Sequence, residues 1–370
     1  MRILHVYKNY FSENRGGIEE AIRQICRSTT ARGVENRVLA LSRGRSDGVV
    51  EREEATVIRH RQHLEIASCG MSVSALTSFR RHSEWADVLH YHYPWPFADL
   101  MHMVGRIKKP AILTYHSDIV RQRVLMPFYR PLMHAFMNRM SEIVATSQNY
   151  YATSDVLQHF ADMVSVIPIG LDPATYPSPD TQTIDRLREQ VGDNFFLFIG
   201  VLRYYKGLHI LLEAVRHTDL PVVIVGTGPV ERELRARASN DSLDNLRFLG
   251  QLTDIEKVSL LHLARAVVFP SFLRSEAYGV ALVEGAMYGK PLISTEIGTG
   301  TSYINIDGET GFVVPPGDSK SLRQVMLKLF NDDTLAGSMG EAARKRFYAY
   351  FLADSMGAQY MDVYERVLSQ

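Results

Sequence analysis

Short apolar runs alternate with longer segments of helical spacing along most of this 370-residue chain. The first run, residues 2–7, is followed by a polar loop and then by a segment with helical spacing at 18–31. Further strand-length runs come at 37–41, 55–59, 87–92, 111–115, 142–146 and 164–168. Alternation of this kind predicts a parallel sheet with helical crossovers.

A second series of the same kind begins at Asn194. Its predicted strands are 195–200, 221–225, 246–249, 266–270, 291–295 and 312–314. Between the two series, residues 172–183 are rich in proline, serine and threonine, which is typical of a linker. The sequence therefore predicts an α/β protein with two doubly wound domains, spanning residues 1–172 and 184–351.

Residues 266–291 carry the most informative spacing in the chain. An apolar strand is followed by a polar loop and then by a short helix that stops at Gly289. Glu276 falls in the loop and Glu284 inside the helix, with seven residues between them. Because a helix N-terminus at the end of a strand attracts anions, two neighbouring carboxylates suit a ligand with both phosphate and hydroxyl groups. A sugar nucleotide has both.

This stretch resembles the E-x7-E signature of the retaining glycosyltransferases of family 4. That family has the GT-B fold, in which two Rossmann-like doubly wound domains face a cleft. Residues 167–172, Ile-Pro-Ile-Gly-Leu-Asp, resemble the segment that closes the first domain of the family. The resemblance covers nearly the whole chain and implies an acceptor-side domain at 1–172, with a C-terminal helix at 352–370 packing back on it. The nucleotide sugar would bind to the domain at 184–351.

A basic loop follows the predicted strand 195–200. Arg203 and Lys206 lie three residues apart in it, and a diphosphate needs positive charge while its bond to the sugar breaks. The loop resembles the phosphate loop of the family. The usual family pattern has an arginine directly after the glycine, where this chain has Val201 after Gly200. Either Arg203 substitutes from the same loop or Lys206 carries most of the task.

The resemblance also implies a role for each matching position. Glu284 would accept hydrogen bonds from the ribose, Glu276 from the donor sugar, and His116 would assist at the sugar from the first domain. The catalytic residues would be His116, Arg203, Lys206 and Glu276. The donor-binding residues would be Gly16, Gly17, Gly200, Arg203, Lys206, Gly250, Leu252, Ala277, Tyr278, Gly279, Val280 and Glu284.

The implied reaction is transfer of a hexosyl group from a nucleoside diphosphate sugar to a hydroxyl, with retention of configuration. Catalysis would rest on positioning and on stabilising the leaving group. We expect no cofactor and no essential metal, since no Asp-x-Asp motif is placed to hold a cation and the basic loop supplies charge. The histidines His90, His92 and His116 could suggest a metal, but no carboxylate is spaced to complete such a site.

The runs 202–208 and 296–302 resemble a bacterial subgroup that builds O-antigen or exopolysaccharide, often from GDP-mannose. This resemblance implies a lipid-linked glycan acceptor at the inner face of the cytoplasmic membrane. A UDP-sugar donor carrying GlcNAc, glucose or galactose is the alternative. Two other classes stay open: a non-catalytic subunit that binds sugar nucleotides or glycans, and a nucleotide-sugar epimerase of the same fold.

Composition excludes some partners. Forty-one basic residues balance forty-one acidic ones, which disfavours nucleic-acid binding. The two cysteines suit a reducing compartment, and neither a signal peptide nor an apolar run of membrane-spanning length is evident. The sequence therefore predicts a cytoplasmic protein that is soluble or peripheral on the membrane.

One segment suits contact with anionic lipid. Residues 121–139 contain Arg121, Arg123, Arg130 and Arg139, no acidic residue, and many large apolar side chains. This composition predicts docking on an anionic membrane surface. The alternative is a packed crossover helix with solvated arginines.

Overall fold

A computed structural model describes residues 1–11, 16–44, 47–119 and 125–369. The chain forms two compact units. The first unit consists of Met1–Gly170 together with Ala353–Gln370, and the second of Leu171–Leu352. The segment 172–183, which the sequence suggested as a linker, belongs to the second unit.

The first unit contains ten strands and seven of the helices in the described ranges. Its strands are β1 (Arg2–Val6), β2 (Glu35–Ser42), β3 (Gly48–Glu51), β4 (Thr56–Arg61), β5 (Leu64–Ile66), β6 (Cys69–Met71), β7 (Val88–Tyr93), β8 (Ala111–Tyr115), β9 (Glu142–Ala145) and β10 (Val164–Val166). Its helices before the second unit are α1 (Gly17–Thr30), α2 (Val73–Trp85), α3 (Pro96–Gly105), α4 (Met126–Met137), α5 (Gln148–Thr153) and α6 (Asp155–His159).

Eight of these strands form one sheet in the order β10-β9-β8-β7-β1-β2-β4-β3. All its pairs are parallel except β3 with β4. In the centre, β1 lies beside β7 with His5 opposite His90, and β7 lies beside β8 with His92 opposite Thr114. Because side chains alternate along a strand, this register puts all four side chains on the same face of the sheet.

The second unit contains helices α7 (Thr181–Val191), α8 (Leu208–Val215), α9 (Glu231–Asn240), α10 (Asp254–Leu263), α11 (Val280–Met287), α12 (Gly300–Ile304), α13 (Ser319–Asn331) and α14 (Asp333–Tyr350). Its strands are β11 (Phe196–Ile199), β12 (Val222–Val225), β13 (Leu246–Gly250), β14 (Ala266–Val268), β15 (Leu292–Thr295) and β16 (Gly311–Val314). They form one parallel sheet in the order β13-β12-β11-β14-β15-β16. The strand order reverses direction between β11 and β14. In open α/β sheets, ligands bind at the carboxyl ends of the strands at such a switch point.

The last helix, α15 (Ala353–Leu368), belongs to the first unit and covers the middle of its sheet. Met356, Tyr360 and Tyr364 of this helix are buried against Ile3 and Ile112 from the strands. Arg366 holds the end of the helix, donating two hydrogen bonds to the carboxylate of Glu142 at 2.8 and 3.0 Å. The helix is therefore a structural part of the first unit.

The α/β architecture predicted from the pattern is confirmed, while several local elements differ. The antiparallel strands β3, β5 and β6 were not predicted, because each is only three or four residues long and carries no apolar run of strand length. Residues 148–159 form two short helices, since Ser154 ends α5 and its hydroxyl caps α6. The glycine-rich segment 298–302 includes the start of α12. Among the described residues, no helix combines the length and apolar character needed to cross a membrane.

Candidate functional site

The turn before α11 is held in a tight conformation. Gly279 precedes the helix with φ of +101°, a backbone conformation that glycine adopts without strain. Gly300 donates its N–H to the carbonyl of Ala277 at 2.9 Å, and a Cβ on Gly300 would lie 2.8 Å from Cα of Tyr278. No described side chain caps the N-terminus of α11. The first N–H groups of the helix can therefore bind an anion.

Glu276 lies in this turn as a buried ion-pair partner. Its carboxylate pairs with Nζ of Lys206 and accepts a hydrogen bond from the Ser271 hydroxyl at 3.3 Å. Nζ of Lys206 also lies 4.4 Å from the ring centroid of Phe269, within the range of a cation–π contact. The pair has little access to water, since Glu276 is only 8% exposed.

A glycine brings Lys206 to this position. Gly207 has φ of +73°, and a Cβ on it would lie 2.0 Å from the carbonyl oxygen of Pro270. The basic loop after β11 can therefore lie against the end of β14 only with glycine at this position. This contact connects the predicted phosphate loop with the predicted sugar-binding turn.

Glu284 forms a second buried pair. It lies within α11, and its Oε1 accepts hydrogen bonds from Nζ of Lys257 at 2.7 Å and from the hydroxyl of Tyr176 at 3.0 Å. Lys257 lies on α10, whose first turn is fixed by a capping box between Thr253 and Glu256. Sequence reasoning did not find Lys257 or Tyr176, because neither belongs to the motif around Glu284.

Arg203 does not join these pairs. Its side chain is exposed and contacts no other charged group among the described residues, and Val201 beside it is 40% exposed.

The nearby glycines form close turns. Gly226 has φ of +126°, a Cβ on it would lie 2.0 Å from the carbonyl oxygen of Gly200, and its N–H donates to Gly250 at 2.7 Å.

The second unit thus brings together most of the predicted donor-binding residues. Lys206, Glu276 and the turn at 277–280 lie together, and Glu284 lies on the helix that follows this turn. Gly200 and Gly250 are joined through Gly226, and Leu252 is half-buried two residues beyond Gly250.

In the first unit, Gly16 and Gly17 begin α1. Gly16 is extended, with φ of −124°, and no described side chain caps the helix. Glu19 is buried in the first turn, and a Cβ on Gly16 would lie 2.4 Å from its carboxylate. Glu19 and Glu20 already place negative charge at this helix N-terminus.

His116 follows β8 and is the last member of a row of buried histidines. Nε2 of His116 lies 3.1 Å from Nδ1 of His92, and Nε2 of His92 lies 3.0 Å from Nδ1 of His5. Nε2 of His5 lies 3.1 Å from Oδ1 of Asn36. Sequence reasoning identified His90, His92 and His116 but missed His5 and Asn36, since the contacts depend on the strand order.

Burial keeps these imidazoles neutral. Removal from water lowers the pKa of His5 to about 4, although the hydrogen bond to Asn36 opposes this effect. Burial lowers the pKa of His116 to about 3 and holds the pKa of His92 well below its usual range. At neutral pH each ring therefore carries a single N–H.

The ring nitrogens of His5, His90 and His92 lie close enough together to be considered as a metal site. Both nitrogens of each ring already have hydrogen-bond partners. Those of His90 are the hydroxyls of Tyr364 at 2.8 Å and Thr114 at 2.7 Å. A cation would have to displace several of these bonds, so the arrangement suits a hydrogen-bond network better than a metal centre.

Comparison with known families assigns the class of protein. The family described as "Glycosyl transferases group 1" matches residues 180–346, and the family described as "Glycosyltransferase Family 4" matches residues 15–175. The chain belongs to the family 4 glycosyltransferases, and it has their GT-B fold of two Rossmann-like domains.

Two relatives are similar over almost their whole length. The chain is 52% identical to the D-rhamnosyltransferase WbpZ of Pseudomonas aeruginosa, covering 95% of this chain and 93% of that protein. It is 46% identical to the O-antigen chain mannosyltransferase C of Escherichia coli, covering 100% and 99%. Among solved structures, the sucrose-phosphate synthase of Thermosynechococcus elongatus has a TM-score of 0.83 at 18% identity, covering 100% of this chain and 99% of that one, which shows the fold alone.

Proposed function

We propose that the protein is a retaining hexosyltransferase that builds bacterial O-antigen, moving a mannosyl or D-rhamnosyl group from a nucleoside diphosphate sugar, with GDP-mannose as the first candidate donor. The observation that carries this proposal is the pair of buried lysine–glutamate contacts around α11, Lys206 with Glu276 and Lys257 with Glu284. Relatives named as an O-antigen mannosyltransferase and a D-rhamnosyltransferase support the sugar class.

The second unit offers separate groups for the two parts of such a donor. Lys206 and the N-terminus of α11 supply positive charge for the diphosphate. Glu276 and Glu284 supply carboxylate oxygens that accept hydrogen bonds from sugar and ribose hydroxyls. When a diphosphate binds to Lys206, Glu276 loses part of its ion pair and turns to the sugar.

In the proposed reaction, the bond between the sugar C1 and the β-phosphate oxygen breaks while the acceptor hydroxyl attacks C1 from the same face. The acceptor proton passes to the departing phosphate oxygen. Lys206 stabilises the charge that develops on the leaving group, which is the most effective place for a preorganised cation. The proposed mechanism has no covalent nucleophile, and Glu276 and Glu284 serve in it only as acceptors of hydrogen bonds from hydroxyl groups.

A donor panel tests this proposal. The full chain is incubated with lipid-linked oligosaccharide from O-antigen-producing membranes and with GDP-mannose, GDP-D-rhamnose, UDP-glucose, UDP-galactose or UDP-GlcNAc. We expect transfer from a GDP-sugar, and NMR of the product should show the anomeric configuration of the donor. Transfer from UDP-sugars alone would favour the alternative donor class, and an inverted product would contradict the mechanism.

The proposed reaction needs no metal. The positive charge at the diphosphate comes from Lys206 and from helix N–H groups, so we expect turnover to persist in EDTA. Loss of turnover in EDTA that is restored by Mg²⁺ or Mn²⁺ would show that a cation site contributes to the reaction.

We also propose that the protein docks on the inner face of the cytoplasmic membrane to reach a lipid-linked acceptor. The described part of the basic segment supports this. Phe128 on α4 is 84% exposed, Leu125 before it is 47% exposed, and Arg130 and Arg139 are exposed. The opposite face of α4 is buried, so the helix has one packed face and one apolar, basic face. Arg121 and Arg123 lie outside the described residues.

Flotation with phosphatidylglycerol vesicles tests the docking. We expect binding at low salt that decreases as salt is added, and weaker binding of a Phe128→Ser, Arg130→Ser variant. Val49→Ser, which removes a 62% exposed apolar side chain from β3, is the matched control and should bind like wild type. If wild type stays off the vesicles at low salt, α4 is only a structural helix.

A further inference from the structure

The hydrogen-bond network in the first unit has a direction. It runs from Asn36 through His5 and His92 to His116, with nitrogen–oxygen and nitrogen–nitrogen distances of 3.0–3.1 Å. Successive rings are nearly parallel, at 17° and 22°, as expected for imidazoles that share hydrogen bonds in their ring planes. A neutral imidazole has one donor nitrogen and one acceptor nitrogen. If the donor and the acceptor are known at one end of such a row, the tautomer of every ring in it follows.

The structure fixes the end at Asn36. Its Nδ2 lies 3.1 Å from the carbonyl oxygen of Cys26, which can only accept a hydrogen bond. The same nitrogen lies 3.0 and 2.9 Å from the hydroxyls of Thr29 and Thr30. Flipping the side-chain amide of Asn36 would place its oxygen against the carbonyl oxygen of Cys26, where no hydrogen bond can form. Oδ1 must therefore be the atom that faces His5.

The remaining protons follow in order. Because Oδ1 of Asn36 accepts, His5 carries its proton on Nε2 and leaves Nδ1 as an acceptor. His92 must then donate from Nε2 and accept at Nδ1. His116 in turn donates from Nε2, so its Nδ1 carries an unshared electron pair. Among the described residues, no hydrogen bond to this nitrogen is formed.

We propose that Asn36, His5 and His92 are positioning residues that hold His116 as the Nε2–H tautomer and present its Nδ1 as a hydrogen-bond acceptor. Building on the proposed function, the partner of this nitrogen is a hydroxyl of a substrate sugar. His116 therefore acts by accepting a hydrogen bond, and not as a cation or as a proton donor. The network preorganises this acceptor before the sugar arrives, in the way that partners of active-site histidines commonly fix their tautomer.

The direct test is histidine tautomer analysis by NMR of the full chain labelled with ¹⁵N-histidine. Long-range proton–nitrogen spectra distinguish the two neutral tautomers and the imidazolium form. Spectra of His5→Asn, His92→Gln and His116→Asn variants assign the signals among the 13 histidines. We expect Nε2–H signals from His5, His92 and His116 in wild type at neutral pH. An Nδ1–H or imidazolium form of His116 in the wild-type protein would overturn the proposal.

A matched pair of variants tests the origin of the direction. Asn36→Leu removes the acceptor at the end of the row, and we expect His116 to become a mixture of both tautomers. Thr30→Val removes one partner of the same amide nitrogen but leaves the bond to His5, so His116 should keep the Nε2–H form. Unchanged tautomers in a folded Asn36→Leu variant would show that Asn36 does not set the direction.

Kinetics then connect the tautomer to the reaction. In the Asn36→Leu variant we expect kcat to fall by about two- to ten-fold, the effect of weakening one hydrogen bond to a neutral hydroxyl, while the Kd for GDP stays unchanged. Thr30→Val should leave both values unchanged. Failure of the proposed transfer reaction would appear in the donor panel with wild type, whereas failure of the tautomer proposal would appear in the spectrum without any substrate.

Discussion

The two units satisfy the buried polar groups near their strand ends in different ways. In the second unit, the buried polar groups are charged and paired, with Lys206 on Glu276 and Lys257 on Glu284. In the first unit, the central strands carry histidines whose pKa values are lowered by burial, so that the groups are neutral and share hydrogen bonds. Both arrangements satisfy buried polar atoms.

The difference indicates which region meets a charged ligand. Separated ion pairs can exchange one partner for an incoming diphosphate, because the lysine and the glutamate each bind a different part of the ligand. A neutral hydrogen-bonded row has no charge to exchange and can only offer a fixed donor or acceptor. We therefore expect changes to the paired charges of the second unit to alter turnover or nucleotide binding, and changes in the first unit to alter stability and fine positioning.

The largest effect should come from Lys206→Met. This change removes the cation proposed to stabilise the leaving diphosphate, and we expect kcat to fall by about 10²–10³-fold. It also leaves Glu276 buried without its partner, so the second unit should lose stability in urea. Adding Glu276→Gln should restore stability but not turnover. Recovery of turnover in the double variant would mean that Lys206 serves only to balance Glu276.

Acidification should destabilise the first unit. His5 and His116 have folded pKa values of about 4 and about 3, below the unfolded value of about 6.5, so the unfolded chain binds more protons below that pH. Their contribution to stability is present above pH ~6.5 and is lost as the pH falls toward 4, by up to about 1.4 kcal/mol per pH unit for each histidine. Asp99 acts in the opposite direction, because burial raises its pKa to about 7.

Tryptophan fluorescence can measure this effect in the full chain. Both tryptophans, Trp85 and Trp95, lie in the first unit, so their emission reports on that unit. We expect the urea midpoint of the fluorescence transition to decrease from pH 7.5 to pH 5. A midpoint that increases over this range would contradict a net destabilisation by the histidines.

The two glutamates should separate binding from turnover. Glu284→Ala should weaken GDP binding by about two- to twelve-fold, the effect of one lost hydrogen bond to a neutral hydroxyl, while Glu276→Ala should lower kcat more than it weakens GDP binding. Glu213→Ala, which removes a surface partner of Arg237, is the control and should change neither. Near-wild-type values for both site variants would contradict the assignment of the two carboxylates.

The smallest effect should come from Arg203→Ala. The side chain is exposed and forms no ion pair with the described residues, so water screens its charge. We expect less than about three-fold loss of kcat, far below the loss for Lys206→Met. A loss as large as that of Lys206 would show that Arg203 replaces the family arginine that is absent at Val201.

The sequence predicted more of the second unit than of the first. Glu276, Glu284 and Lys206 lie in continuous motifs, and their spacing is visible in the chain. Lys257 and Tyr176 were missed because they reach Glu284 from elements that are distant in sequence. In the sequence alone, Lys257 near the start of a helix cannot be distinguished from an ordinary solvated lysine.

The histidine row shows a different limit of sequence reasoning. His90 and His92 were noticed because they alternate along one strand, but His5 and Asn36 come from neighbouring strands. Only the strand order and register place these residues in contact. The short strands β3, β5 and β6 were missed for a related reason, since pairing rather than apolar character forms them.

Calorimetric titration of the full chain with GDP and with UDP tests the central claim most directly. We expect GDP to bind more tightly than UDP, and we expect Glu284→Ala to weaken the binding of GDP while Asn36→Leu leaves it unchanged. Absence of measurable binding for both nucleotides, or equal weakening by the two variants, would contradict a donor site built from the charged pairs of the second unit.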